Sequence, residues 1–262
     1  MYISKKIRLF YTSVIIMLAQ LPFIFAMNIP KKSMLASISN GFELGKIKLL
    51  NPILRSCTDT IKSITDSTNY LYDELKLKTI GLSKVAFDYT IKGYERLIAS
   101  GKIINKNIVS IVDFSQPSSC KRLYVIDLEK REIIFNTFVA HGKNSGQEMA
   151  TAFSNVPTSN KSSLGFYVTT HTYNGKNGYS LQLEGMEKEV NDNAMERGIV
   201  MHAADYVNED YINSQGWIGR SQGCPAVMPC MNKPIVESIK EGSCFFIYYP
   251  DEQYLHRSAL LN

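Results

Sequence analysis

The sequence predicts a mainly β domain with a few short helices, preceded by an N-terminal helical segment. Two observations carry that expectation. From Ile108 onward, short runs rich in β-branched and aromatic residues alternate with polar turns, the pattern of successive strands. Before that point, Val85, Ala86, Tyr89, Tyr94, Leu97 and Ile98 approximate the spacing of one helical face, and Gly101 supplies a stop signal.

Taken in order, strands are expected over residues 108–114, 122–128 and 132–140, then 165–171 and 179–183, the last two joined by the Asn174-Gly175-Lys176-Asn177-Gly178 turn cluster. Residues 198–202 and 243–249 read as two more. A short helix is expected over 234–240, with Pro234 near its first turn, where proline is tolerated. Residues 142–163 show no dominant period. Loops of that length inside a compact domain are often functional, so this one is expected to form a wall facing the substrate.

The chain has 262 residues, enough for one well-buried domain with appendages. Apolar residues make up 45% and charged residues 20%, the balance of a folded protein and not of a disordered one. The formal charge of +5 is spread along the chain without a basic block interleaved with aromatics, so nucleic acid is not an expected partner. At the N-terminus, Lys5, Lys6 and Arg8 precede a mainly apolar stretch from Leu9 to Phe25, the pattern of a secretory signal. Residues 1–26 therefore read as a signal peptide or, if uncleaved, an N-terminal anchor. Residues 27–82 read as a linker with some helix, 83–255 as the catalytic domain and 256–262 as a C-terminal tail.

The five cysteines, Cys57, Cys120, Cys224, Cys230 and Cys244, cannot all pair within one molecule. Their spacing gives neither a disulfide framework nor a zinc site, so no metal is expected. Cys224 is the thiol with a chemical setting. It follows Ser221-Gln222-Gly223 and precedes Pro225, while His202 closes the apolar run Gly198-Ile199-Val200-Met201 upstream. A free thiol is mostly protonated at neutral pH, and an imidazole can take its proton and later return it to a leaving amine. Gly223 permits backbone angles that a side chain would forbid, so the Gly223 and Cys224 amides could face a developing oxyanion. Pro225 disfavours helical angles at Cys224, and the Ser221 hydroxyl could close the turn. A thiol attacking a carbonyl needs no cofactor, and none is expected. Cys57, Cys120, Cys230 and Cys244 read as structural.

The segment from His202 through Ser221-Gln222-Gly223-Cys224 resembles the active-site signature of the L,D-transpeptidases that remodel bacterial peptidoglycan. Eighteen residues separate His202 from Ser221. Ile111-Val112-Asp113-Phe114-Ser115, Val139-Ala140-His141-Gly142-Lys143-Asn144-Ser145-Gly146, Gly219-Arg220-Ser221-Gln222-Gly223-Cys224-Pro225-Ala226 and Gly242-Ser243-Cys244-Phe245-Phe246 are similar to a murein L,D-transpeptidase catalytic-domain subfamily. The resemblance implies a β-sandwich-like catalytic fold and a periplasmic or cell-envelope enzyme. It implies Cys224 as nucleophile, His202 as base and acid, and Ser221, Gln222 and Gly223 as the shaping loop. Its substrates would be donor and acceptor stem peptides of peptidoglycan, joined through a thioester into a 3-3 cross-link. Many members carry His where Gln222 stands and a polar residue where Ala226 stands. Arg220 is the candidate to supply the missing positive charge to a stem carboxylate, and His141 is a second candidate facing the cleft. Resolution of the thioester by water, giving a carboxypeptidase or other wall hydrolase, and an inactive wall-binding module are the alternatives.

Overall fold

A computed structural model describes residues 67–262. The expected signal or anchor at 1–26, and most of the 27–82 extension, lie outside the described residues. Among those described, no helix is long and apolar enough to cross a membrane.

Eight strands form one mixed sheet in the order β3-β2-β1-β8-β4-β5-β6-β7. They are β1 (Ile108–Asp113), β2 (Leu123–Asp127), β3 (Glu132–Thr137), β4 (Gly165–Gly175), β5 (Gly178–Gly185), β6 (Val200–Ala203), β7 (Ala226–Val227) and β8 (Cys244–Tyr248). Most neighbours run antiparallel. The exceptions are β1 with β8 and β6 with β7, which pair in parallel. β1, β2 and β8 are buried at every residue, which is why they read in the sequence as unbroken apolar runs instead of alternating ones. Beyond β3 the chain bends back. Ala140 bridges Ala226 of β7, with the Ala140 N–H donating to the Ala226 carbonyl at 2.8 Å. The two ends of the sheet therefore approach each other, and the fold is a near-barrel.

Helix α1 (Lys84–Ala99) is capped by the Ser83 hydroxyl, which accepts from the Ala86 N–H, while the Ser83 N–H donates to Asp113 at the end of β1. Gly93, which interrupts the helical pattern, has a packing reason. It lies against the Phe166 ring of β4, which in turn stacks on Phe246 of β8 at a centroid distance of 4.0 Å. Helix α2 (Glu209–Gln215) has Asn208 as its N-cap and the left-handed Gly216 as its C-cap. It occupies much of the connection between His202 and Ser221. No residue of α2 is buried, so it left no apolar period to read.

Three expectations are corrected. The helix expected at 234–240 is α3 (Pro229–Ile239), whose first-turn proline is Pro229, with Pro234 inside. Residues 138–140 leave the β3 ladder, because Ala140 turns to bridge β7. The tail at 256–262 is docked: Asp251 caps α4 (Glu252–Arg257), and Ser258 and Leu261 are buried. The anchor for that last segment is Glu187, whose carboxylate accepts from the Phe166 N–H, the Tyr254 hydroxyl and the Ser258 hydroxyl. At the other end, Tyr72, Leu77 and Leu82 belong to the same core as the sheet, so packing begins before Ser83.

A methyl group added at Gly93 would sit 2.1 Å from the tip of Phe166. Replacing a helical glycine by alanine ordinarily gains about 1 kcal/mol. Here the wedged ring opposes it at an overpacking cost of about 1–3 kcal/mol, and Gly93→Ala is expected to lose up to about 2 kcal/mol net. Urea titration checks this: the midpoint should fall with an unchanged slope, and a raised midpoint would show that Phe166 yields.

Candidate active site

The site is assembled by the short parallel pairing of β6 with β7. His202 lies opposite Ala226 and Ala203 opposite Val227. Cys224, two residues before Ala226, is thereby carried alongside the start of β6. Its thiol donates to the Gly198 carbonyl at 3.6 Å, and the Val200 N–H is placed to donate to the sulfur. Beneath lies a small second core of Phe138, Ala140, Ala204, Val207, Ile218 and Ala226. This cluster holds both strands from the side away from solvent. His202 and Cys224 then open on one cleft of about 720 Å³, together with Ser221, Gln222 and Arg220.

The imidazole of His202 is buried, and its Nδ1 lies 2.8 Å from the Ala203 carbonyl. A carbonyl only accepts, so Nδ1 carries the proton and Nε2 is the basic nitrogen. A backbone group thus orients the ring. Burial lowers the pKa of His202 and raises that of the Cys224 thiol, the Val200 amide and the Arg197 guanidinium only partly opposing the latter. Both shifts favour a neutral thiol and a neutral imidazole on this cleft over a resting ion pair.

The turn that presents the thiol is closed by Ser221. Its hydroxyl donates to the Cys224 carbonyl at 2.7 Å and accepts from the Gly223 N–H at 3.0 Å. Gly223 has φ of +127°, and a Cβ there would meet the Lys161 carbonyl at 2.8 Å. The expectation that the Gly223 amide faces an oxyanion is therefore corrected: Ser221 uses it. The Cys224 N–H makes no hydrogen bond among the described residues.

Residues 142–163 do form a wall, with Lys143, Thr158 and Asn160 on the cleft. Serines hold this wall together. Ser162 accepts from the Gly142 N–H and donates to the Gly223 carbonyl at 3.1 Å, and its own N–H donates to the Ser145 hydroxyl. Arg197, which no sequence pattern singled out, pins the same wall through the carbonyls of Ser154 and Lys161 and the hydroxyls of Ser163 and Ser159. The isolated serines and this arginine lack any motif, and only their convergence in space marks them.

His141 stands behind the wall and not in it. It is fully buried, and its Nδ1 accepts from the buried Arg122 guanidinium at 2.7 Å. Its Nε2 consequently donates to the Gly146 carbonyl at 3.3 Å. Burial and the Arg122 charge push its pKa down to about 3, so it stays neutral. The expected cleft contact is corrected to a supporting one. Arg220 does reach the cleft, and one of its guanidinium nitrogens donates to that same Gly146 carbonyl at 3.1 Å. Of the described cysteines, Cys120 and Cys230 are exposed, Cys244 is buried, and none is paired; Cys57 lies outside the described residues.

A turn holding one half-buried thiol opens on the same cleft as a buried imidazole, on a near-barrel of mixed strands. The family is given by the sequence model of the L,D-transpeptidase catalytic domain, which matches residues 78–248, and the chain belongs to that family. A comparison with curated proteins found no match. Solved structures that resemble the chain include an L,D-transpeptidase from Mycobacterium smegmatis, at 11% identity and a TM-score of 0.36, over 55% of this chain and 59% of that one. Another is an L,D-transpeptidase from Stackebrandtia nassauensis, at 17% identity and 0.34, over 63% and 68%. A third is L,D-transpeptidase 3 from Mycobacterium tuberculosis bearing a faropenem-derived adduct, at 12% and 0.34, over 55% and 60%. The chain thus spans less than two thirds of the first of these, and the family assignment rests on the sequence model.

A neutral resting pair has a kinetic signature. Alkylation of Cys224 by iodoacetamide, followed by peptide mass, is expected to climb through the alkaline range with an apparent pKa above the ordinary thiol value of 9.0. A plateau of reactivity already present below pH 7 would instead reveal a resting thiolate–imidazolium pair.

Proposed function

We propose that the chain is an exported cysteine L,D-transpeptidase that acts on peptidoglycan stem peptides in the cell envelope. The observation that carries this reading is the fixed tautomer of His202, whose Nδ1–H is spent on Ala203, leaving a basic Nε2 on the cleft that also holds Cys224. Export rests on the basic and apolar N-terminal sequence.

In the acylation step, His202 Nε2 takes the thiol proton and the Cys224 sulfur attacks the carbonyl carbon at the L-centre of the third-position diamino acid. The Cys224 N–H donates to the oxyanion that develops, an interaction commonly worth about 3 kcal/mol. The C–N bond to the terminal D-alanine then breaks, and His202 returns the proton to the departing amine. A thioester remains. The side-chain amine of a second stem attacks it, gives up a proton to His202, and expels the sulfur, which recovers that proton. The product is a 3-3 cross-link. No step consumes a cofactor.

The full chain incubated with a disaccharide tetrapeptide should gain the mass of a disaccharide-tripeptide acyl group and yield a cross-linked dimer. Cys224→Ala should abolish both. A tripeptide monomer as the sole product would replace cross-linking by hydrolysis, and no acyl-enzyme at all would leave a wall-binding module. Ser221→Ala removes both bonds that close the turn, at about 1 kcal/mol each. It is expected to slow acylation at least about tenfold and to lower the urea midpoint as well, by the amount that about 2 kcal/mol represents.

A further inference from the structure

The walls of the cleft carry a far larger relative excess of positive charge than the chain as a whole. The full sequence has 29 basic and 24 acidic residues. On the cleft stand Lys143, Lys176, Arg197 and Arg220 against a single carboxylate, Asp205. The four come from separate segments: the loop after β3, the two-residue tip of the β4–β5 hairpin, the turn before β6, and the approach to Cys224. Among the described residues, none of them forms an ion pair. Arg197 is held only by neutral oxygens, so no carboxylate offsets its charge, and it acts on the thiol electrostatically. Arg220 spends one nitrogen on the Gly146 and Lys143 carbonyls, leaving its remaining donors toward solvent in the cleft. Cations without counter-ions, converging in a concave site, are matched by an anionic ligand.

We propose that this cleft selects donor stems by their free carboxylates, so that a stem whose diamino acid keeps its side-chain carboxylate is used and one in which that group is a carboxamide is discriminated against. The inference rests on the transpeptidase reading above and specifies its substrate. An amide of the same shape retains the hydrogen-bond acceptor and loses the charge. Arg220 is the residue suited to a bidentate carboxylate contact, because its guanidinium is anchored at one end. Lys176, exposed at the hairpin tip, and Lys143 add attraction that salt will screen.

The experiment compares two donors on the full chain: a disaccharide tetrapeptide with all carboxylates free, and the same molecule with the diamino-acid carboxylate converted to a primary amide. Formation of the Cys224 acyl-enzyme is timed by intact mass at 50 mM and 500 mM salt. At low salt the free acid should acylate about tenfold faster, a charge-assisted contact's worth. That ratio should shrink at high salt and fall toward one in Arg220→Gln and, more weakly, in Lys176→Gln, which alters only an exposed hairpin tip. Equal rates for the two donors at low salt would overturn the inference while leaving the transpeptidase reading intact. A preference unmoved by salt and by both substitutions would also overturn it, since shape and not charge would then decide. Failure of both donors to form a thioester would overturn the transpeptidase reading, and this inference with it.

Discussion

The site depends on a strand pair only two residues long. β6 and β7 run in parallel, and the register that sets His202 against Ala226 is what brings Cys224 to the start of β6. A parallel pair needs a crossover between its strands, and here the crossover contains α2, capped by Asn208 and stopped by Gly216. So short a ladder has little stability of its own. It is held by the second apolar cluster beneath it and by Ala140, which bridges β7 from the opposite edge of the sheet. Closing the sheet and building the site are thus one event.

This explains which parts were legible in the sequence. Strands β1, β2 and β8 are covered on both faces, so burial itself wrote their composition, and α1 showed a helical face broken only where Gly93 makes room for Phe166. β7 could not be read, because two residues carry no period, and α2 could not, because it buries nothing. In the site, Cys224, His202 and the Ser221–Gly223 turn stood out through chemistry at close spacing. Ser162 and Arg197 did not. They act through hydrogen bonds to distant segments, and only the fold gives them their partners. His141 was misplaced for the opposite reason: its residue type suggested chemistry, while its neighbours, Arg122 and the Gly146 carbonyl, consume both ring nitrogens.

The electrostatics of the cleft divide along the same line. The dyad itself is arranged to rest uncharged, with burial acting on both partners. The cations around it are arranged to stay charged, bonded to carbonyls and hydroxyls that cannot neutralise them. A neutral nucleophile pair avoids the cost of a desolvated ion pair before substrate arrives. On the reading proposed above, it would become charged only as the reaction proceeds, inside a field that favours the anion.

The two departures from the family pattern also acquire physical content. Gln222 is exposed on the cleft, so a change there alters what the substrate meets. Ala226 is different. It is fully buried, pairs with His202, and hydrogen-bonds Ala140, so a polar side chain at this position would have to enter the small core in which Ala226 packs. Burying such a group without partners costs more than the contact it could offer. Positive charge on the cleft comes instead from Arg197 and Arg220, among others: one fixed by four neutral acceptors, the other held at one end a few residues before Cys224.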